Sequence, residues 1–371
     1  MPHESKIWQI AIIGFDHMHA GDFLRAIIEH PRAAAAGLWD SDPARVDIVA
    51  DDFDIPAEIR FADVDELIES GRPDIAVVCS TTREHAEWVD YLAGKGVNII
   101  LEKPFATSLE DADRMIEAAT TADVLLAVNW PLAWYPPHRT TQRLINEGLI
   151  GRVREVHYYD GNRGPLNHVH DKREAEGALD PEARRTTWWY QKERGGGSLL
   201  DYLGYGATLS TWFRGGELPS EITARTHVAP GDEVDEQSVV IASYPGGLST
   251  LQTRWGTFTD PWTHQPQPRC GFVVVGTEGT ISSFDYAGSV TVQTHEHPEG
   301  RDIPVDVLDL ADTNGVAHVI AGLESGGILT GPMSWSISRA GQRIVDSSIA
   351  SAESGAPVIL ETADAAKTGA Q

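Results

Sequence analysis

Cysteine is scarce: Cys79 and Cys270 are the only two in 371 residues. That count excludes a disulfide framework and fits reduced thiols packed in a reducing compartment. Lysine is scarce as well, six of the 29 basic residues, against 55 acids and a formal net charge of −26. Such a balance excludes nucleic acid as a partner, because phosphate binding requires a basic footprint. It also offers no anchor for an anionic membrane. No apolar run approaches the ~20 residues of a membrane span. Stretches such as Ile10–Gly14 and Ala76–Cys79 are far shorter. The opening Met1-Pro2-His3-Glu4-Ser5-Lys6 has no apolar signal core and no twin arginine, so a cytoplasmic location is expected.

What is present is alternation. Ile7–Ile13 is nearly all apolar, as a strand buried on both faces should be. A helix pattern follows over Gly21–Ile28, with Phe23, Leu24, Ile27 and Ile28 at helical spacing, and Pro31 stops it. Strands are expected at Ala33–Trp39, Asp74–Ser80, Val97–Leu101 and Val124–Val128, with a helix at Glu84–Gly94. Thr107-Ser108-Leu109-Glu110 reads as a capping box opening another helix. This order implies a doubly wound parallel sheet of the Rossmann kind over residues 1–128. Beyond Asn129 the pattern changes. A helix near Pro137–Asn146 and a strand at Val153–Tyr159 precede an irregular stretch, Asp160–Arg194. Gly195–Phe213 reads as a glycine-opened helix. Val239–Tyr244 and Leu248–Trp255 flank the turn Pro245-Gly246-Gly247, and Phe272–Val275 and Thr280–Ser283 flank another. A last helix near Ser336–Ala352 ends at Gly355, and the small polar tail after Glu361 is expected to fray. The expected fold is α/β overall: the parallel domain, then an α+β domain at 129–371 with a mostly antiparallel, open-faced sheet.

A dinucleotide needs a tight strand-to-helix turn and a helix N-terminus aimed at its pyrophosphate. The turn here is Gly14-Phe15-Asp16-His17-Met18-His19. Only the first glycine of G-x-G-x-x-G is kept; Asp16 and His19 hold the other two places. Position and context still favour a nucleotide. Asp40 ends the second strand, where an acid hydrogen-bonds the adenine ribose. Ser41 follows, so no cation greets a 2′-phosphate, and NAD is expected over NADP. His17 and His19 without a carboxylate or thiol cluster in the sequence nearby do not suffice for a metal, and none is expected.

Glu102-Lys103-Pro104 closes the Val97–Leu101 strand, at the strand end where open α/β sheets bind ligands. With Ser80-Thr81-Thr82-Arg83-Glu84-His85, Gly148-Leu149-Ile150-Gly151-Arg152-Val153 and Gly195-Gly196-Gly197-Ser198-Leu199-Leu200-Asp201, it resembles the Gfo/Idh/MocA family of oxidoreductases over roughly residues 7–355. The resemblance implies an active site between two domains, with Ser80, Thr81, His85 and Glu102 on the cofactor side. It implies that Lys103 hydrogen-bonds the reacting hydroxyl and that Asp201 orients it. Where the family usually has a histidine, this chain has Tyr205; Thr208 stands where many members carry a second acid.

Hydride transfer from a secondary alcohol requires a base for the hydroxyl proton. Tyr205, its phenol lowered by the Lys103 ammonium, is one candidate; Lys103 itself is the other. Trp188, Trp189 and Tyr190, behind Arg184 and Arg185, offer sugar-stacking faces. Arg163, Trp130 and His264, in the shaped loop Asp260–Pro266, are further substrate candidates, whereas Asn167–Asp171 reads as a solvated loop. The expected activity is NAD-dependent oxidation or reduction at a secondary hydroxyl of a sugar, inositol or related polyol. The alternatives are an NAD-dependent glycoside hydrolase or sugar–sugar oxidoreductase with tightly held cofactor, and an inactive sugar or nucleotide sensor. An open sheet face favours a homodimer or homotetramer.

Overall fold

In a computed structural model, the structure describes residues 6–360 apart from 176, 178 and 179. The tail expected to fray lies outside the described residues. Five parallel strands form the first sheet: β1 (Trp8–Ile13), β2 (Ala33–Trp39), β3 (Ile75–Val78), β4 (Asn98–Glu102) and β5 (Leu126–Asn129). Their order is β2-β1-β3-β4-β5. The switch point therefore lies between β1 and β3, where the connections leave in opposite directions and open a crevice. Helices α1 (His19–Glu29), α2 (Pro43–Asp52), α3 (His85–Gly94) and α4 (Leu109–Thr121) cover the sheet. α1 starts two residues earlier than its apolar spacing suggests. The N-cap of α4 is Ser108 and not Thr107: its side chain accepts from Asp111 N–H. Thr107 Oγ1 donates to the Asp111 carboxylate instead, at 3.0 Å.

α5 (Pro136–Asn146) leads into the second sheet. Its strands are β6 (Val153–Asn162), β7 (Glu221–Val228), β8 (Asp235–Tyr244), β9 (Gly247–Trp255), β10 (Gly271–Gly276), β11 (Gly279–Phe284), β12 (Ser289–Thr294), β13 (Arg301–Pro304) and β14 (Val358–Ile359). Nine strands thus lie in the order β13-β12-β11-β10-β6-β9-β8-β7-β14, and only β6 and β9 run parallel. β6 runs three residues past the expected end, to Asn162, into the stretch read as irregular.

Helix α6 (Ser198–Phe213) lies on the inner face of this sheet and is buried almost throughout. The glycines before it form its lead-in: Gly197, at φ 105°, is the N-cap. α7 (Gly315–Glu324) and α8 (Trp335–Ser354) follow the sheet. The chain does not divide cleanly at residue 128. Val316, Val319 and Ile320 of α7 pack in one core with Ile10, Ile12 and Leu24 of the nucleotide half. α8 packs on both α6 and α4. Late residues thereby bolt the two sheets together and hold the ends of β1–β5 facing α6.

Candidate active site

A cleft of about 340 Å³ separates the carboxyl ends of the parallel strands from α6 and the inner face of the second sheet. Gly14 makes its first wall possible. It has φ 83°, and a Cβ there would lie 2.6 Å from Ser80 N, so the β1 and β3 ends approach only without a side chain. Phe15, Asp16, His17 and His19 line the cleft. α1 begins there with no side-chain cap from Met18. His19 N–H donates to His17 Nδ1 at 3.3 Å and Ala20 N–H to His17 O at 3.1 Å, while the helix end itself faces the cleft, as a phosphate site requires. Asp40 is buried behind, accepting from Phe15 N–H at 2.6 Å and Asp42 N–H at 2.7 Å. The cation missing at position 41 comes from α2: Arg45 Nη1 is 2.6 Å from Asp16 and 3.5 Å from Asp40. Burial pushes the Asp16 carboxyl up to about 6, against the Arg45 charge. Arg45 is thus held by two acids and is not offered to a 2′-phosphate, an arrangement that fits NAD.

His17 and His19 are buried side by side, ring centroids 4.5 Å apart. His19 Nδ1 is 2.8 Å from Glu102 Oε1, and Asn129 Nδ2 donates to Glu102 Oε2 at 2.6 Å. Burial, then the Lys103 charge, hold the His17 imidazole well below its usual range, so it is neutral at pH 7. His17, His19 and Glu102 place their ligating atoms within 4.8 Å of one another. The carboxylate comes from 83 residues away in sequence, so the motif alone did not contain it. Ser80, Thr81 and His85 form a layer behind the cleft wall and not part of its lining. Thr81 Oγ1 donates to Glu84 Oε2 at 2.8 Å, and His85 Nδ1 lies 3.2 Å from Phe105 O. Burial lowers the His85 imidazole too.

Lys103 follows β4 and Asp201 sits in the first turn of α6, so their ion pair joins the two halves of the molecule inside the cleft. Both residues are buried and line the cleft. Trp255 Nε1 donates to the other Asp201 oxygen at 3.0 Å. Lys103 Nζ lies 5.5 Å and 5.6 Å from the ring centroids of Tyr205 and Tyr202. Here an expectation is corrected. Lys103 faces the Tyr205 ring and pairs with Asp201, and burial, reinforced by Glu102 and Asp201, pushes the Tyr205 phenol well above its usual range. The Tyr205 phenol is thus raised and not lowered in this surrounding.

Several substrate candidates are also corrected. Trp188–Tyr190 is a 3₁₀ turn, whose successive side chains point about 120° apart. Only Trp189 faces the cleft. Trp188 stacks on it, centroids 3.7 Å apart, and Tyr190 Oη donates to Glu236 at 2.8 Å. Arg184 and Arg185 pair with Asp232 at 2.5 and 2.7 Å. Arg163 pairs with Glu174 at 3.0 Å, outside the cleft. His264 is exposed; Pro261 and Trp262 of its loop line the cleft instead. Trp130 is buried, its ring edge against Tyr205 and its Nε1 donating to Ser338 at 3.1 Å. The loop read as solvated is so only in part: Val169 is exposed, but two histidines turn inward. His168 and His170 are buried and line the cleft, His168 2.9 Å from Asp260 and His170 2.5 Å from Asp52 of α2. Asp160 and Asp285, also in the lining, were missed altogether: isolated acids at strand ends carry no motif.

Residues 8–130 match the oxidoreductase family with the NAD-binding Rossmann fold, GFO_IDH_MocA, and residues 138–282 match the GFO/IDH/MocA C-terminal domain. D-apiose dehydrogenase of Rhizobium rhizogenes is 34% identical over 119 residues, 32% of this chain and 34% of the relative. The chain thus spans about a third of that relative's length. 1,5-Anhydro-D-fructose reductase of Ensifer adhaerens is 30% identical over 259 residues, covering 67% of this chain and 69% of the relative. An oxidoreductase from Agrobacterium radiobacter, solved in complex with NAD+, L-tartaric acid and magnesium, shares the fold at TM-score 0.73 and 22% identity, over 95% of this chain and 98% of that one. Among the described residues no helix is long and apolar enough to cross a membrane.

Proposed function

The chain belongs to the Gfo/Idh/MocA oxidoreductase family, and from that premise we propose that it transfers hydride between NAD(H) and a secondary hydroxyl of a sugar, inositol or related polyol. One observation carries the reading: the buried Lys103–Asp201 pair, closed across the cleft at the carboxyl ends of the parallel strands. NAD, when bound, supplies the hydride acceptor or donor. The turn from Gly14 to His19 would hold its phosphates, and Asp40 with Arg45 its adenosine end. Lys103 Nζ donates a hydrogen bond to the reacting oxygen and, coupled to Asp201, carries the hydroxyl proton. Asp201, fixed by Trp255, aims the ammonium. Tyr205, protonated and buried, offers a second donor within the same wall. His17, neutral and edge-on to Trp189 at 5.2 Å between centroids, excludes water beside Lys103.

A second reading is favoured by one feature. Residues 165–173 close over the cofactor end, with His170 and Arg173 on Asp52 and Lys172 3.4 Å from Asp22 of α1. A cofactor held under that strap suits a redox-neutral sequence, in which the same site oxidises and then reduces sugars. Calorimetric titration of cofactor-stripped protein with NAD and NADP, with Asp40→Ala beside the wild type, tests the site. Micromolar NAD binding weakened by the substitution supports the proposal. Binding of neither nucleotide defeats it.

A further inference from the structure

Three neighbouring strands end together at the cleft. Tyr159 of β6, Gly271 of β10 and Phe284 of β11 stand in register across the sheet. Side chains alternate along a strand, so one position beyond this row Asp160, Cys270 and Asp285 all face inward, and all three are buried. The two carboxyls flank the thiol, and both line the cleft that contains Lys103 and Asp201. Each is held in place. Tyr158 Oη donates to Asp160 Oδ2 at 2.8 Å, and Gly161 N–H to Oδ1 at 2.7 Å. His138 Nε2 lies 2.8 Å from Asp285 Oδ1. Burial, then the Asp285 charge, push the Asp160 carboxyl up to about 7, so near neutral pH it can donate as well as accept.

The cations around the cleft are already engaged. Lys103 pairs with Asp201, Arg45 with Asp16, Lys172 with Asp22 and Arg173 with Asp52. Among the described residues of the lining, the wall opposite the cofactor turn therefore has no lysine or arginine unpaired, and His138 is the basic group set against Asp285. A carboxyl and a carboxylate on either side of the thiol, two strand spacings apart, can accept from and donate to separate hydroxyls of one polyol. An anionic group brought against them would be buried beside like charge, which is costly.

We propose that Asp160 and Asp285 form the substrate-recognition wall, gripping two hydroxyls of an uncharged polyol and rejecting substrates that carry a carboxylate or phosphate at that end. This rests on reading the cleft as a polyol dehydrogenase site. Specificity of this kind works through the repulsive element as much as the attractive one.

The test uses the full chain after NAD binding has been scored by calorimetry. NAD-loaded protein is titrated with D-glucose, myo-inositol, D-glucuronate and D-glucosamine, read by the fluorescence of the cleft tryptophans Trp189 and Trp262. The expected result is at least about tenfold tighter binding of a neutral probe than of D-glucuronate, with the gap closing to about threefold or less in Asp285→Asn. Asp160→Asn should weaken the neutral probes while leaving NAD affinity unchanged. D-glucuronate binding as tightly as D-glucose in the wild type overturns the inference and leaves the NAD reading standing. Preference for D-glucosamine overturns it in favour of an amine. No binding of any neutral probe to NAD-loaded protein overturns it as well. Failure of NAD itself to bind removes the dehydrogenase reading and this inference with it.

Discussion

A buried ammonium persists only when paired, and Lys103 depends on Asp201. Removing either partner has a different consequence. Lys103→Met keeps the stem and leaves Asp201 its hydrogen bond from Trp255; turnover should fall about 10³-fold while NAD affinity holds. Asp201→Ala strands the lysine and should also lower stability by about 3 kcal/mol, read by urea unfolding. Lys103 was legible because a lysine at a β-strand's carboxyl end, locked by proline, stands out in a lysine-poor chain. Asp160 and Asp285 were not, because only the strand register brings them together. Asp235, the first residue of β8, accepts from Leu199 N–H at 3.1 Å. It is buried at the start of α6, and burial pushes its carboxyl up to about 7 from 3.8. The native state thus holds a proton that the unfolded chain has lost between those values. The resulting stabilisation is complete below 3.8 and is lost as pH rises through about 7. Asp235→Asn has no such slope. Between pH 5 and pH 8 it should gain on the wild type by on the order of 2 kcal/mol in urea unfolding; equal slopes would contradict the burial argument.

Helix α6 carries the site, and its placement hangs on small residues. Gly204 faces the Trp130 indole, with no room for a Cβ, and that indole is pinned by Ser338 of α8. Gly204→Ala should therefore cost about 1–3 kcal/mol, seen as a lowered Tm, and reduce kcat by shifting Asp201 away from Lys103. A variant with wild-type Tm would mean that the indole moves aside freely. The five parallel strands were legible because strands buried on both faces read as apolar runs. The α6 start was legible from its glycines. Elements with mixed patterns were not seen: α2 is polar on most of its surface, β7 and β12 alternate without a flanking turn motif, and α7 reads as a small-residue stretch. The 3₁₀ turn at Trp188–Tyr190 shows a related limit. Composition marked three aromatics, and only the turn's threefold geometry selects Trp189.

Across the whole molecule, α6 packs on the inner face of the second sheet, and among the described residues no helix covers the outer face, where several apolar side chains are exposed. Register aligns Ile241, Thr250, His157 and Val273 in one row across β8, β9, β6 and β10. The next row aligns Val239, Gln252, Tyr159, Gly271 and Phe284. Val239, Ile241, Val273 and Phe284 are 39%, 39%, 40% and 39% exposed, and Leu248 is 54% exposed. Apolar side chains clustered on a flat sheet beside polar partners suit a two-fold contact, in which one surface meets its own copy. The net charge of −26 opposes that contact over long range. On this face the acids include Asp302 of β13, toward one edge, and Glu155, which is 3.0 Å from His157, and salt screens such charges within about 10 Å. Light scattering after gel filtration should therefore give a dimer or tetramer, more firmly at 0.5 M salt than at low salt. Ile241→Lys places a charge at the centre of the face and should release monomers while changing the unfolding free energy of the monomer by no more than about 0.5 kcal/mol. A wild type that is monomeric at all salt concentrations would mean that this face is closed by something other than a second copy.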